Sequence, residues 1–510
     1  MDRKWWTLLA VCLATFMLLL DITIVNVALP DIADELDASF SDLQWVIDAY
    51  ALALAALLLT AGSLADLLGR RRVFAFGLAS FTIASVLCAL APSALVLILA
   101  RAAQGIGGAA MFSTSLALLA QEFHGRERGT AFGIWGATTG AAVAIGPLVG
   151  GALTSGFGWP SIFYLNVPIG IATIAIALWR LPESRDEEAG GVDWAGLLTF
   201  SGALFLLVLA LIRGNEEGWA SGLIVTLFAG SALLLALFIA VERRQQRPMF
   251  DLSLFGNRTF AGGSIAAFAL SASMFAMFLY LTLYLQTILD YGPLETGLRF
   301  LPVTALSFVA AAVSGKLTAR LPTRALLGGG LALVGIGLLL MRGLDAGSNW
   351  TALLPGFIVA GIGIGTINPA IANAAIGVVA PARSGMASGI SSTFRQVGIA
   401  TGIAGLGALF QSQVTQRLTS ALAGTPGAGA GDGLARAVSA GGAPRVITAA
   451  PAGARPRLEH AIHAAFTAAL NDILLVAAVM ALVGGLLALA LVRDSDFVAH
   501  GVPEPEAVPA

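Results

Sequence analysis

The chain has 510 residues, 57% of them hydrophobic and only 11% charged, which excludes a soluble globule, whose charged share would be about 25%. Its 28 Lys and Arg against 30 Asp and Glu leave a net charge of −2, so the overall balance gives no reason to expect a nucleic-acid partner. Two cysteines, Cys12 and Cys88, both within apolar runs, imply neither a disulfide framework nor a metal cluster and read as packing residues.

In chain order, Arg3 and Lys4 precede an apolar run that is too long for a secretory leader and has no clean cleavage site, so it reads as a first membrane helix. Windows of about 20 apolar residues fit at 5–29, 44–65, 73–92, 95–120, 129–155, 162–181, 195–213, 219–241, 260–289, 298–319, 325–342, 350–378, 387–412 and 469–492. These predict an all-α polytopic protein of about 14 helices, with both termini on one side of a lipid bilayer. Basic residues concentrate in alternate connections: Arg70 to Arg72, Arg126 and Arg128, Arg180 and Arg185, then Arg243, Arg244, Arg247 and Arg258, Lys316, Arg320 and Arg324, and Arg383. The first of the opposite connections, Pro30 to Leu43, instead carries Asp31, Asp34, Glu35, Asp37 and Asp42. By the positive-inside rule both termini are expected to be cytoplasmic in a multi-pass cell-membrane protein. Residues 413–468 depart from the pattern, with five arginines on the outside, but long loops translocate largely regardless of charge. This Ala- and Gly-rich stretch is expected to be largely mobile, with amphipathic pieces near Leu458 to Leu470.

Three motifs recur at a similar interval. GSLADLLGRR from Gly62 is echoed by GKLTARLPTR from Gly315, with Ala319 in the place of Asp66; GTAFGI from Gly129 is echoed by GMASGI from Gly385; QGIGG from Gln104 is echoed by AGIGIG from Ala360. Parallel duplication of this kind builds one class of transporter. The expected division is a six-helix bundle over 1–185, an inserted two-helix hairpin over 186–247, a second six-helix bundle over 248–495 that includes an extracytoplasmic loop at 413–468, and a cytoplasmic tail at 496–510.

Chemistry is sought in the charges left inside the membrane, because each costs at least about 2.5 kcal/mol there. Asp21 lies ~24 Å along the first helix from Trp5, and Arg101 in the fourth helix and Asp48 in the second reach a similar depth. An acid held between a base's attraction and the cost of burial can bind and release a proton; the alternative for the same residues is a static ion pair that locks helices together. Arg395 and Gln396 lie near mid-membrane, where Arg395 either receives an anionic group or bonds to backbone carbonyls. Met274, Phe275, Met277, Phe278, Tyr280 and Tyr284 either line an adaptable apolar cavity or face lipid. From Gly297 onward no acid is expected deep in the membrane.

The stretch from Gly62 to Phe74 resembles the signature loop between the second and third helices of the major facilitator superfamily. LDITIVNVALP from Leu20, LILARAAQGIGGA around Arg101, AIGPLVGGAL around Pro147, IFYLNVPIG from Ile162, MFDLSLFGNRTF from Met249 and GMASGISSTFRQVG from Gly385 resemble motifs of its fourteen-helix drug/proton antiporters. The likeness spans Asp21 to about Arg493. WPSIF at Trp159 departs from it, lacking the arginine usual at that corner.

The resemblance implies proton coupling through Arg101 and Gln104, which adds to Asp21 and to Asp48, the latter a candidate by depth alone with simple hydration as its alternative. It implies a conformational latch of Gly62, Asp66, Gly69, Arg70 and Arg71, and an antiporter motif of Gly146, Pro147, Gly150 and Gly151 that bends the fifth helix at the outer gate. Candidates for the substrate cavity are Asn26, Met274, Phe278, Tyr284, Gln286, Arg395 and Gln396. The expected function is a non-enzymatic, proton-driven exporter of amphipathic drugs or antibiotics, and against members that carry a further acid in the second half the resemblance implies neutral, zwitterionic or singly charged substrates. It would work as a monomer without metal or cofactor, with the need for a periplasmic adaptor protein left open. A solute importer is the nearest alternative. A membrane-embedded enzyme is remote, because His124, His460, His463 and His500 all lie outside the predicted spans.

Overall fold

Lipid offers no partner to backbone N–H and C=O groups, so long apolar segments must pair them internally as helices. A computed structural model shows helices and no strand among the described residues. These are residues 2–185, 193–245, 250, 252–380, 383–422, 433–434, 437–438, 442–451 and 453–497, apart from 39, 124 and 319. Some helical side chains, including those of Asn26 and Pro147, lie outside the described set.

The membrane helices are α1 (Arg3–Glu35), α2 (Phe40–Leu68), α3 (Arg70–Ala89), α4 (Ala94–Glu122), α5 (Gly125–Phe157) and α6 (Pro160–Arg180), then α7 (Trp194–Glu217) and α8 (Gly222–Glu242). They continue with α9 (Arg258–Ile288), α10 (Pro293–Leu317), α11 (Thr323–Leu340), α12 (Leu354–Ile376), α13 (Ser384–Ala421) and α14 (Arg455–Leu491). Among the described residues thirteen are long and apolar enough to cross a membrane, against about fourteen expected. The remaining helix, α5, has 33 residues, about 50 Å at the rise of an α-helix, and its apolar stretch among the described residues is the shorter Leu148–Phe157.

Several helices outrun their apolar windows. α1 continues through Pro30 to Glu35, taking in Asp31 and Asp34 from the expected first loop and leaving only a short connection to α2. α13 and α14, of 38 and 37 residues, take both ends of the expected 413–468 loop, so only residues 422–454 separate them. The Leu458 to Leu470 stretch is therefore the start of α14 and not a separate amphipathic piece. Hydropathy marks where a helix leaves lipid, whereas the backbone bonds continue until a residue stops them.

The repeated motifs become repeated contacts. In the first half Gly107 of α4 packs on Gly77 and Phe81 of α3, and Gly105 on the backbone of Tyr50 in α2. In the second half Gly363 of α12 packs on Gly330 and Val334 of α11, and Gly361 on the backbone of Val303 in α10. Glycine lets the backbones approach where lipid supplies no hydrophobic drive for helix association. The halves meet through crossed pairs of the repeat. Gly62 of α2 touches Gly385 of α13, and Gly129 of α5 touches Gly315 of α10. Each motif thus contacts the partner of its own echo, as a pseudo-two-fold arrangement requires. α7 lies against α2 and α13, with Thr60 and Ser201 hydroxyls 2.9 Å apart, and α8 packs on α7.

Candidate functional site

Asp21 is sealed inside the first half, about 1% exposed, as is Arg101. Five helices bring the network together. Arg101 Nη1 on α4 donates to Asp21 Oδ2 on α1. Gln104 Nε2, one turn further along α4, donates at 2.9 Å to Asp21 Oδ1, and Asn166 Nδ2 on α6 donates to the same oxygen at 2.9 Å. Ser85 on α3 accepts from both amides, at 2.9 Å from Gln104 and 3.3 Å from Asn166. Arg101 Nε donates to the Val46 carbonyl at 3.1 Å, Nη1 also reaches Gln104 Oε1 at 2.5 Å, and the guanidinium lies 4.2 Å above the Tyr50 ring. The carboxylate thus gains an opposite charge and two neutral donors in a dry pocket, where each interaction is stronger than in water.

Asp48 is half-buried two residues before Tyr50, and residues two apart on a helix point to different faces. Asn166 and Ser85 were not anticipated as members. Neutral polar residues in an apolar run carry little signal, although Asn166 lies within the IFYLNVPIG motif.

The antiporter-motif glycines sit beside this cluster. A Cβ on Gly146 would fall 1.8 Å from Thr23 Oγ1, and one on Gly150 would fall 2.9 Å from Ile24, so α5 rests directly on the turn of α1 that follows Asp21. Gly151 is half-buried, and the Pro147 side chain lies outside the described set.

A second buried carboxylate joins the halves. Asp66 Oδ1 accepts from Arg70 Nε at 2.9 Å and Nη2 at 2.8 Å, and from the Gly385 backbone N–H at 3.0 Å; Oδ2 accepts from the Met386 N–H at 2.8 Å. Asp66 therefore caps the N-terminus of α13, whose free N–H groups and dipole favour an anion. Gly385 has to be glycine here, since a Cβ would lie 2.3 Å from Asp66 Oδ1. Gly69, at φ +109°, turns the chain into α3. Arg71 is not part of the contact between halves. Its N–H donates to Glu183 Oε1 at 3.1 Å and its Nη1 to the Leu181 carbonyl at 3.2 Å, which braces α3 against the segment after α6.

Of the remaining cavity candidates, Met274 and Tyr284 are fully buried in the apolar core of the second half, and the Tyr284 hydroxyl donates to the Ser348 carbonyl at 3.1 Å. Phe278 is half-buried between Phe275 and Phe300, and Gln286 and Gln396 are half-buried. α9 contains two π-helical turns, Ser271–Phe275 and Tyr284–Ile288. The first receives Gly398 and Gly402 of α13 against the backbones of Phe268 and Ala272. The Asn26 side chain lies outside the described set. Arg395 is buried, its guanidinium 5.9 Å from the Trp135 ring of the opposite half.

The Major Facilitator Superfamily model matches residues 11–403. The chain belongs to that superfamily. It is 38% identical over 413 residues to the multidrug resistance protein Stp of Mycobacterium tuberculosis, covering 81% of this chain and 77% of that protein. It is 35% identical over 419 residues to the tetracenomycin C resistance and export protein of Streptomyces glaucescens, covering 81% and 77%. Among solved structures, the human organic anion transporter MFSD10 shares the fold, with a TM-score of 0.59 at 16% identity over 94% of this chain and 100% of that one. The protein is a multi-pass membrane transporter and not an enzyme.

Proposed function

We propose that this superfamily member is a proton-coupled exporter of amphipathic antibiotics, working by alternating access in a cell membrane with both termini cytoplasmic. The observation that carries the reading is Asp21, an acid buried among Arg101, Gln104 and Asn166 and placed where α5 rests on α1. Resistance relatives, one of them named for export, support the outward direction.

A proton reaching Asp21 removes the charge that holds Arg101. The guanidinium is left with the Val46 carbonyl and Gln104 Oε1, and the contact between α1 and α4 loosens. Release of the proton on the cytoplasmic side restores the pair. A proton can drive the cycle only by favouring one of two arrangements of the halves. The pivot of that choice is the Asp66 cap on α13, formed at the arginine-rich end. The protein therefore rests closed toward the cytoplasm.

Asp21→Asn keeps the shape and the acceptor oxygen but cannot cycle a proton. In proteoliposomes with an imposed proton gradient, wild type is expected to move an amphiphilic dye against its concentration gradient. The variant is expected to exchange dye only down that gradient. Full gradient-driven transport by Asp21→Asn would refute the proton role.

A further inference from the structure

Three polar side chains on three helices of the second half lie against α5, each with an unpartnered atom. Arg395 of α13 is 7% exposed and its Nη2 has no hydrogen-bond partner. Asn368 of α12, 2% exposed, uses its Nδ2 on the Ile364 carbonyl at 3.0 Å and leaves Oδ1 unpartnered. Ser307 of α10, 3% exposed, leaves its hydroxyl unpartnered. Opposite them α5 presents Trp135, then Gly136 and Gly140, which let the second half approach closely: a Cβ there would stand 3.1 Å from Asn368 Cβ and 3.6 Å from Ser307 Oγ.

Buried polar atoms are almost always paired, so three orphans along one helix need an explanation. The strongest demand comes from the arginine. The buried acids among the described residues are Asp21, Asp66 and Glu242, none of them in α9 to α14. Asp66 is already held by Arg70 and the start of α13, and Arg395 stands ten residues from Gly385, about 15 Å along the helix. A guanidinium this deep without a counter-charge is costly. It offers a forked donor suited to a carboxylate or phenolate.

We propose that Arg395, with the Ser307 hydroxyl as a second donor, forms a subsite between the halves for the anionic group of an aromatic substrate, with Trp135 flanking the ring. This rests on the export reading only for what happens next: the site takes the anion from one side and gives it up on the other. It also narrows the substrate expectation from amphiphiles of any single charge to those bearing one acidic group. Arg395 belongs to the second half and Trp135 to the first, so separating the halves dismantles the subsite and frees the ligand.

The test uses purified full-length protein in detergent and two matched probes, anthracene-2-carboxylate and 2-(aminomethyl)anthracene, with binding read by probe anisotropy. Wild type is expected to prefer the carboxylate by about tenfold or more, the scale for pairing one buried charge. Arg395→Gln should abolish that preference and Arg395→Lys should restore part of it. A wild type without the preference, or an Arg395→Gln protein that keeps it, overturns the proposal. Gradient-driven transport in proteoliposomes separates the two readings. Export of the amine but not the carboxylate would refute the subsite and leave the exporter standing. Arg395-dependent carboxylate binding with neither probe driven by the gradient would uphold the subsite and refute the proton-driven exporter.

Discussion

Asp21 and Arg101 show how much one residue type in the wrong solvent reveals. Their charges stood out in apolar runs, and the structure brings them together. What the runs did not reveal was the neutral part of the cluster, because Ser85 and Asn166 look like ordinary packing until tertiary contacts place them on Asp21. The pair also predicts an asymmetry in stability. Arg101→Ala leaves a buried carboxylate with only two amide donors and is expected to cost about 3–5 kcal/mol, the range for breaking a buried pair. Adding Asp21→Asn removes the orphaned charge and should recover a substantial part of that loss. The midpoint of thermal unfolding in detergent, compared across the two single variants and the double, measures it; purely additive losses would mean that the two side chains do not interact.

At the scale of elements, hydropathy located every membrane helix but misjudged the ends of those that project from the bilayer. The ends of α1 and α13 and the start of α14 are polar helix, for which transfer energy gives no signal. Neither π turn of α9 was visible either, since the apolar pattern does not register one extra residue per turn. The glycine motifs were legible as close contacts, but not which helices they would join. Gly129 makes this testable. A Cβ there would lie 2.1 Å from the Gly315 carbonyl oxygen, a backbone atom that cannot swing aside. Gly129→Ala must therefore push α5 away from α10 and is expected to slow transport severely. Gly156, on the same helix, has nothing within 4 Å of the added methyl. Gly156→Ala should leave transport intact and stabilise by about 0.5–1 kcal/mol, the helix preference of Ala over Gly. Equal transport rates for the two variants in proteoliposomes would mean that the α5–α10 contact does not limit the cycle.

In the whole molecule the two halves are alike in packing and unlike in charge, and this difference sets which contact governs the resting state. Both crossed contacts, Gly62 with Gly385 and Gly129 with Gly315, close the same end. The repeat places Asp66 in the first and an alanine, Ala319, at the matching position of the second, so the carboxylate cap belongs to one crossed contact alone. Two charge-assisted bonds from backbone N–H groups cross between the halves there, each worth roughly 1.5–3 kcal/mol. Removing them with Asp66→Ala should shift the equilibrium toward opening at that end by a factor of ten or more, since about 1.4 kcal/mol is tenfold. Spin labels at the exposed Leu68 and Leu321, one in each half at the arginine-rich end, would report it. Wild type should give one short distance in electron–electron resonance, and Asp66→Ala a second, longer population. Arg70→Ala spares the two bonds that cross between the halves and loses only the side chain that steadies the carboxylate, so its shift should be smaller. A shift for Arg70→Ala as large as for Asp66→Ala would place the restraint in the ion pair and not in the capped helix.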